Sequence, residues 1–504
     1  MRAYPERFAI ECEVSTACGL GRVSSRSSTR QRPQAVLTKQ HPYSLMRTAL
    51  KILICLSFIL LAHTLAVAQM NAEAEREFER AVAQYTVNYR NLMQSRGISV
   101  ADRQQRRRVA QAETQQEIME AFLVRGAPPL SEYVNTSSMA DIATALRKGF
   151  PAGTALIFYA YGEDSLQIWL INQTGLQAYS SEHVSQRNLE SAIYDLRRSL
   201  GIDSLQSNRA PVLRDPQPAP VDLGLRIPAE SAIAEATKIL LPAPIAKELN
   251  AVRHLIVAPI LGLGTVPFAV LRPFASDLFL IDRMSVSVVP SLFDIEADMK
   301  EWRPGYGKPL VIGNPYLPPD RRWRVPPLPG AESEAVAIAK MVNARPLVGR
   351  RATKRRVTAR AGEADFLYFA THGVASSDDP LSGGFLFLSA RTLKRGFWTA
   401  REVQNMNLKA QIAVLSACQT GLGKIHDAGV IGLSRAFQIA GVPRVVMSLW
   451  SVSDAATAAL MKSFVKYLQG NVPAEALRLA MLDVRRERPA LSQWASFVLF
   501  GTPR

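Results

Sequence analysis

The chain has 504 residues, 48% of them hydrophobic and 20% charged, with a formal net charge of +17. That length excludes a small stapled scaffold and allows a sizeable core with two or three domains. The positive surplus favours solubility and acidic partners in a general way and singles out no nucleic-acid surface.

Residues 1–45 are rich in Ser, Arg, Gln and Thr without periodicity, and read as an untranslated or disordered extension ahead of Met46. The stretch "MRTALKILICLSFILLAHTLAVAQ" then has the three parts of a secretory signal. Arg47 and Lys51 form a basic start, Ile52 to Ala62 an apolar stretch, and Ala66-Val67-Ala68 a cleavage site. Its eleven apolar residues are short for a membrane span of about 20. Export to the periplasm or medium is therefore expected, with cleavage after Ala68 and no stable membrane insertion afterwards. Cys12, Cys18 and Cys55 precede that point, so the mature chain would keep Cys418 alone. An intrachain disulfide or a Cys-rich zinc site is then excluded, and a lone thiol in an oxidising compartment calls for a reason.

Residues 69–138 read as a helical region and linker. Phe78, Val82, Tyr85, Tyr89 and Leu92 recur at spacings of three and four, without a tetratricopeptide period. From 139 to 303 the pattern turns to mixed α/β. "GTALIFYAYGEDSLQIWLIN" reads as a hairpin, 189–200 as a helix, and "RHLIVAPI" and "LFLIDRMSVSVVPS" as strands. Residues 304–330, with eight prolines and four glycines, read as a connection around the short strand "PLVIG".

Residues 331–504 alternate cleanly. Helices are expected at 332–343, 429–440, 454–468 and 473–487, and strands at 365–370, 385–389, 412–417 and 444–449, before a last apolar run "SFVLFG". Such alternation predicts an α/β fold with a mostly parallel sheet, whose chemistry collects beyond the carboxyl ends of the strands.

That rule singles out two places. "DFLYFA" ends in Thr371-His372-Gly373, and "IAVLSA" ends in Cys418. If the strands are neighbours, thiol and imidazole face one crevice, where the imidazole can lower the thiol pKa and protonate a leaving group. Gly373 would let its backbone N–H reach an oxyanion. The alternatives are a small buried thiol and a satisfied core histidine. Asp454 opens a helix just after strand 444–449, either as its N-cap or as a carboxylate in the same crevice that selects basic side chains.

The remaining signals are weaker. His426 lies in a glycine-bearing loop, and His183 and His254 lack partners at metal-ligand spacing, so no metal site is expected. Gly262 and Gly264 lack the rest of a dinucleotide fingerprint and read as a turn; no P-loop is present, and no cofactor is expected. "GRRATKRRVTAR" carries six Lys/Arg within residues 350–360 without aromatic residues among them, and reads as a solvated helix face, not a nucleic-acid patch.

Taken together, "FLYFATHG", "DPLSGGFLFLS", "WTAREVQNMNLKAQIAVLSACQTGLG", "GVIGLSRAFQIAGVPRVVMSLWSVSDAATAALMKSFVKYL" and "WASFVLFGTP" resemble a CHAT domain, the caspase-like family related to separases and caspases. The resemblance covers about 225–504 well and 139–224 loosely. It implies a caspase-haemoglobinase α/β sandwich preceded by a short α-helical region, with a dyad of His372 and Cys418. It also implies an oxyanion site from the backbone N–H groups of Gly373 and Cys418, and a pocket in which Asp454 binds a basic P1 side chain. "RRATKRR" would then be a self-processing site. Two readings follow. One is a cysteine endopeptidase acting on protein or peptide substrates, with an activating partner docking on the N-terminal helices; the other is a catalytically idle, caspase-like platform for protein interaction.

Overall fold

The computed structural model describes residues 70–82, 138–161, 165–200, 212–213, 227–259, 261–274, 277–289, 301–374, 384–416, 424–426, 429–450 and 452–502. The signal segment, the residues before it, most of the 69–138 region and Cys418 lie outside the described residues.

One eleven-stranded sheet runs through the chain. Its strands are β1 (Thr154–Tyr161), β2 (Leu166–Asn172), β3 (Gly175–Glu182), β4 (His254–Ala258), β5 (Ser285–Val288), β6 (Pro309–Pro315), β7 (Leu347–Gly349), β8 (Phe366–Ala370), β9 (Ile412–Ser416), β10 (Arg444–Ser448) and β11 (Phe497–Gly501). They lie in the order β3-β2-β1-β4-β5-β11-β10-β9-β8-β6-β7. β1, β4, β5 and β11 pair in parallel, as do β10, β9, β8, β6 and β7. The two blocks meet antiparallel at β10 and β11. The expected mostly parallel α/β sheet is therefore present, and the stretches on either side of the Pro-rich connection share it.

The central strands read "HLIVA", "FLYFA" and "IAVLS", and every residue of the three is buried. Continuous apolar runs of this kind belong to strands covered on both faces by helices. α1 (residues 70–82) and α2 (Met139–Gly149) cover one face of the first block. There Phe78 meets Phe158 and Trp169 edge-on, and the Trp169 indole donates to the Ala74 carbonyl at 2.9 Å. α2 starts at a capping box between Ser138 and Asp141, which satisfies orphan N–H groups of the first turn. α3 (Gln186–Ser199) and α4 (Ala229–Leu240) pack against each other.

α5 (Pro329–Met341) lies on β6 and β8. Gly313 in β6 permits that approach, since a Cβ there would sit 2.3 Å from the Ala335 Cβ. α6 (Lys354–Ala361), α7 (Leu433–Ile439), α8 (Asp454–Tyr467) and α9 (Pro473–Glu487) complete the helices used below. Arg478 of α9 donates to the carbonyls of Ile281 and Asp282, and Arg485 forms a two-pronged pair with the Asp282 carboxylate. These bonds fasten the last helices to the segment before β5.

Three expectations shift. Of "LFLIDRMSVSVVPS", Leu280–Arg283 is a helical turn and only Ser285–Val288 is strand. Phe385–Phe387 leaves the main sheet and forms a three-stranded ribbon with Gly373–Val374 and Phe397–Thr399. In place of a helix from residue 429, Gly429–Ile431 pairs with Lys424–His426 before α7 begins at Leu433.

Candidate active site

β8 and β9 are hydrogen-bonded neighbours, in a register that sets Ala370 beside Ser416. His372 follows the first by two residues, and Cys418 follows the second by two. The backbone beyond β8 is tied down at once. Thr371 Oγ1 donates to the Phe387 carbonyl at 2.8 Å, and the Phe387 N–H donates to the His372 carbonyl at 3.0 Å. The strand end is thereby fastened to the small ribbon, and the His372 ring lies edge-on to Phe387.

His372 is 2% exposed. Its Nε2 lies 2.7 Å from the Pro326 carbonyl oxygen, whereas Nδ1 is buried with no partner among the described residues. A carbonyl only accepts, so Nε2 must carry the proton and the neutral ring offers Nδ1 as a base. Burial pushes the His372 pKa below its ordinary value, while the Pro326 carbonyl and the Asp454 charge pull it part of the way back. Pro326 had no signal in the sequence, because its contribution is a main-chain carbonyl in a proline-rich loop.

A cleft of about 40 Å³ opens beyond the ends of β8, β9 and β10, lined by Leu328, Glu334, Thr371, Ser416, Trp450 and Asp454 among others. At about 15 Å³ for each water, it has room for roughly three. The N-cap of α8 is Ser453, which accepts from the Ala456 N–H, so Asp454 is the first helical residue and not the cap. Its carboxyl sits against Gly330 in the first turn of α5. A Cβ on Gly330 would fall 2.5 Å from Asp454 Oδ2 and 2.7 Å from its Cγ. Of the expected site residues, His372 and Asp454 thus lie near one another at the strand ends. Gly373 is buried in the ribbon, and Cys418 is outside the described residues.

Glu334 is the group that sequence reasoning missed. In "PGAESEAVAIAK" its neighbours Glu332 and Ser333 make a polar helix face the natural reading, yet Glu334 is 3% exposed. The Tyr368 hydroxyl donates to its carboxyl at 2.7 Å. Burial raises its pKa to about 7, against the opposing pull of the Ser416 and Tyr368 hydroxyls; Asp454 raises it further and Lys462 lowers it.

The remaining histidines are accounted for. His254 is buried between the hydroxyls of Ser285, 2.8 Å from Nδ1, and Ser287, 3.0 Å from Nε2. His183 is exposed, and His426 closes a two-stranded hairpin. Among the described residues, no three His, Cys, Asp or Glu side chains are grouped to hold a metal ion. In the basic run, Arg350 stacks on Tyr316 at 3.7 Å, Lys354 pairs with Glu402 at 2.6 Å, and Thr353 caps α6. Ala352 and Val357 are buried there, so cleavage at this stretch would require local opening.

Among curated proteins, tetratricopeptide repeat protein 28 of Homo sapiens is 30% identical over 282 residues, which cover 47% of this chain and 11% of the relative. The protein of the same name from Mus musculus is 29% identical over 282 residues, covering 47% and 12%. The chain thus spans about a tenth of the length of these relatives. Among solved structures, the separase–securin complex of Saccharomyces cerevisiae at 3.0 Å aligns over 74% of this chain and 31% of that one, with 10% identity and a TM-score of 0.46. The Arg-specific cysteine proteinase gingipain R aligns over 54% of this chain and 67% of that one, with 10% identity and a TM-score of 0.36. The family model of the CHAT domain matches residues 231–502, more than half of the sequence, and the chain belongs to that family.

Proposed function

We propose that the protein is a cysteine endopeptidase in which Cys418 attacks a scissile carbonyl and His372 serves as its base and acid. The observation that carries this reading is the state of His372: Nε2 is held by the Pro326 carbonyl, and Nδ1 is left as a buried base at the end of the strand beside the one that leads to Cys418. In the proposed reaction, Nδ1 takes the thiol proton and the thiolate adds to the carbonyl carbon. The backbone N–H groups of Gly373 and Cys418 hold the resulting oxyanion. The imidazolium then returns the proton to the leaving amine, and water hydrolyses the thioester. Asp454 sits at the cleft where a basic P1 side chain would end, which supports cleavage after Arg or Lys.

An acyloxymethyl-ketone peptide with a basic P1 residue tests the reading. Covalent labelling of Cys418, lost in His372→Ala, is expected. A thiol that stays unlabelled with every P1 type overturns it.

A second reading is an idle platform that binds other proteins. It is favoured by the 2% exposure of His372 and by relatives named for tetratricopeptide repeats, modules that present binding surfaces. In that reading α1 and α2, which already cover one sheet face, carry the partner. We further propose export through residues 46–68, for which N-terminal sequencing should find Gln69 first.

A further inference from the structure

We propose that Glu334 is the second carboxyl of the specificity cleft: together with Asp454 it receives the guanidinium of a substrate arginine, and it surrenders a proton to do so. This rests on the peptidase reading for its substrate, though not for its chemistry.

Four observations place Glu334 in that role. It lines the same cleft as Asp454, Thr371 and Ser416, although it arrives from a different helix. It is 3% exposed, and a carboxyl so deeply buried is costly unless something offsets the charge. One neutral donor, the Tyr368 hydroxyl, holds it at 2.7 Å. Ser416 Oγ is buried at the end of β9, lines the same cleft and lies close to both groups, so the carboxyl faces a polar floor. A guanidinium presents five N–H donors in a fixed plane, whereas a cleft with one carboxyl would answer only part of them.

The protonation follows from the surroundings. Tyr368 from β8, Ser416 from β9, and Asp454 and Lys462 from α8 face the carboxyl, and burial among them raises its pKa to about 7. Near neutrality the empty cleft therefore holds Glu334 in both forms. An arriving cation favours the ionised form and expels the proton to solvent. Recognition should tighten as pH rises through 7, and level off once Glu334 is already ionised before binding. The same arrangement avoids a buried Glu334 carboxylate beside the partly buried Asp454 while the cleft is empty, which like-charge repulsion disfavours.

Agmatine, which carries the guanidinium without a scissile bond, is the probe. Its binding to the full chain is measured calorimetrically in two buffers of different ionisation enthalpy at pH 7. The wild type should release a measurable fraction of a proton per site. Glu334→Gln should release none, bind at least tenfold more weakly at pH 8, and lose its pH dependence between 6 and 8. Asp454→Asn should bind weakly yet still release the proton, and so tests the source even if Glu334→Gln does not fold. Wild-type binding without proton release, continued release by Glu334→Gln, or no binding of agmatine at millimolar concentration overturns the inference. Binding with release in a protein whose Cys418 is never labelled would uphold the cleft and reject the peptidase. Labelling without release would do the reverse.

Discussion

His372 Nε2 lies 2.7 Å from the carbonyl oxygen of Pro326, and that single bond decides which face of the imidazole can act as a base. A main-chain acceptor cannot be removed by changing a side chain. Pro326→Ala keeps the carbonyl, so labelling of Cys418 should fall by less than about tenfold. His372→Ala removes the base, and a loss of about 10²–10⁴ is expected. Since burial holds the His372 pKa below the ordinary 6.5, the acidic limb of the labelling rate should also lie below pH 6.5. Labelling rates across pH 4–8 for the three proteins check both points, and equal losses in the two variants would mean that Pro326 contributes more than its main-chain carbonyl.

Gly330 and Asp454 are in contact across the start of α5. With its Cβ position 2.5–2.7 Å from the Asp454 side chain, Gly330→Ala must push the carboxylate aside. Overpacking of this kind costs about 1–3 kcal/mol, which corresponds to a fall of a few degrees in Tm for a domain of this size. The larger effect should be on recognition: KM for a substrate with P1 arginine rising about tenfold or more, with kcat changed far less. A loss confined to kcat would mean that Asp454 has no part in binding.

The sheet and the place of His372 just beyond a buried strand were legible because each rests on local pattern. "FLYFA" and "IAVL" are short apolar runs closed by the polar Thr371 and Ser416, which is how a fully buried parallel strand exits a sheet. β3 was illegible: "GLQAYSSE" is largely polar and partly exposed at the sheet edge, so it lacks the apolar signal of a strand. Glu334 was illegible for a different reason. Its burial comes from the close seating of α5 on Gly313, a contact between residues far apart in sequence. Pro326 supplies a carbonyl, and every residue supplies one; only the fold selects it.

Glu334 should also govern stability. Its folded pKa of about 7 lies above the ordinary 4.5, so between these values the folded protein keeps a proton that the unfolded chain has released. Stability therefore falls as pH climbs from 4.5 to 7 and remains lower above 7. The shift corresponds to an effect on the order of 3 kcal/mol. Glu334→Gln can accept the same Tyr368 bond without a charge, so urea unfolding should show it gaining on the wild type from pH 5 to pH 8. A constant difference across that range would mean that Glu334 does not titrate there.

His254 has the opposite sign. Its pKa is lowered from 6.5 to about 3 by burial, so the folded protein holds it neutral where the unfolded chain would protonate it. The stability it contributes is present above pH 6.5 and is lost as pH falls toward 3. The neutral ring is fully satisfied by the Ser285 and Ser287 hydroxyls, which can donate to one nitrogen and accept from the other. His254→Leu should therefore cost about 1–3 kcal/mol at pH 7.5, because two buried hydroxyls lose their partner. Adding Ser285→Ala and Ser287→Ala should restore most of that loss. Both variants should lose less stability than the wild type between pH 6.5 and pH 4. Urea titrations at these pH values measure the three effects together, and a triple variant no more stable than His254→Leu alone would place the cost in lost packing volume and not in the unpaired hydroxyls.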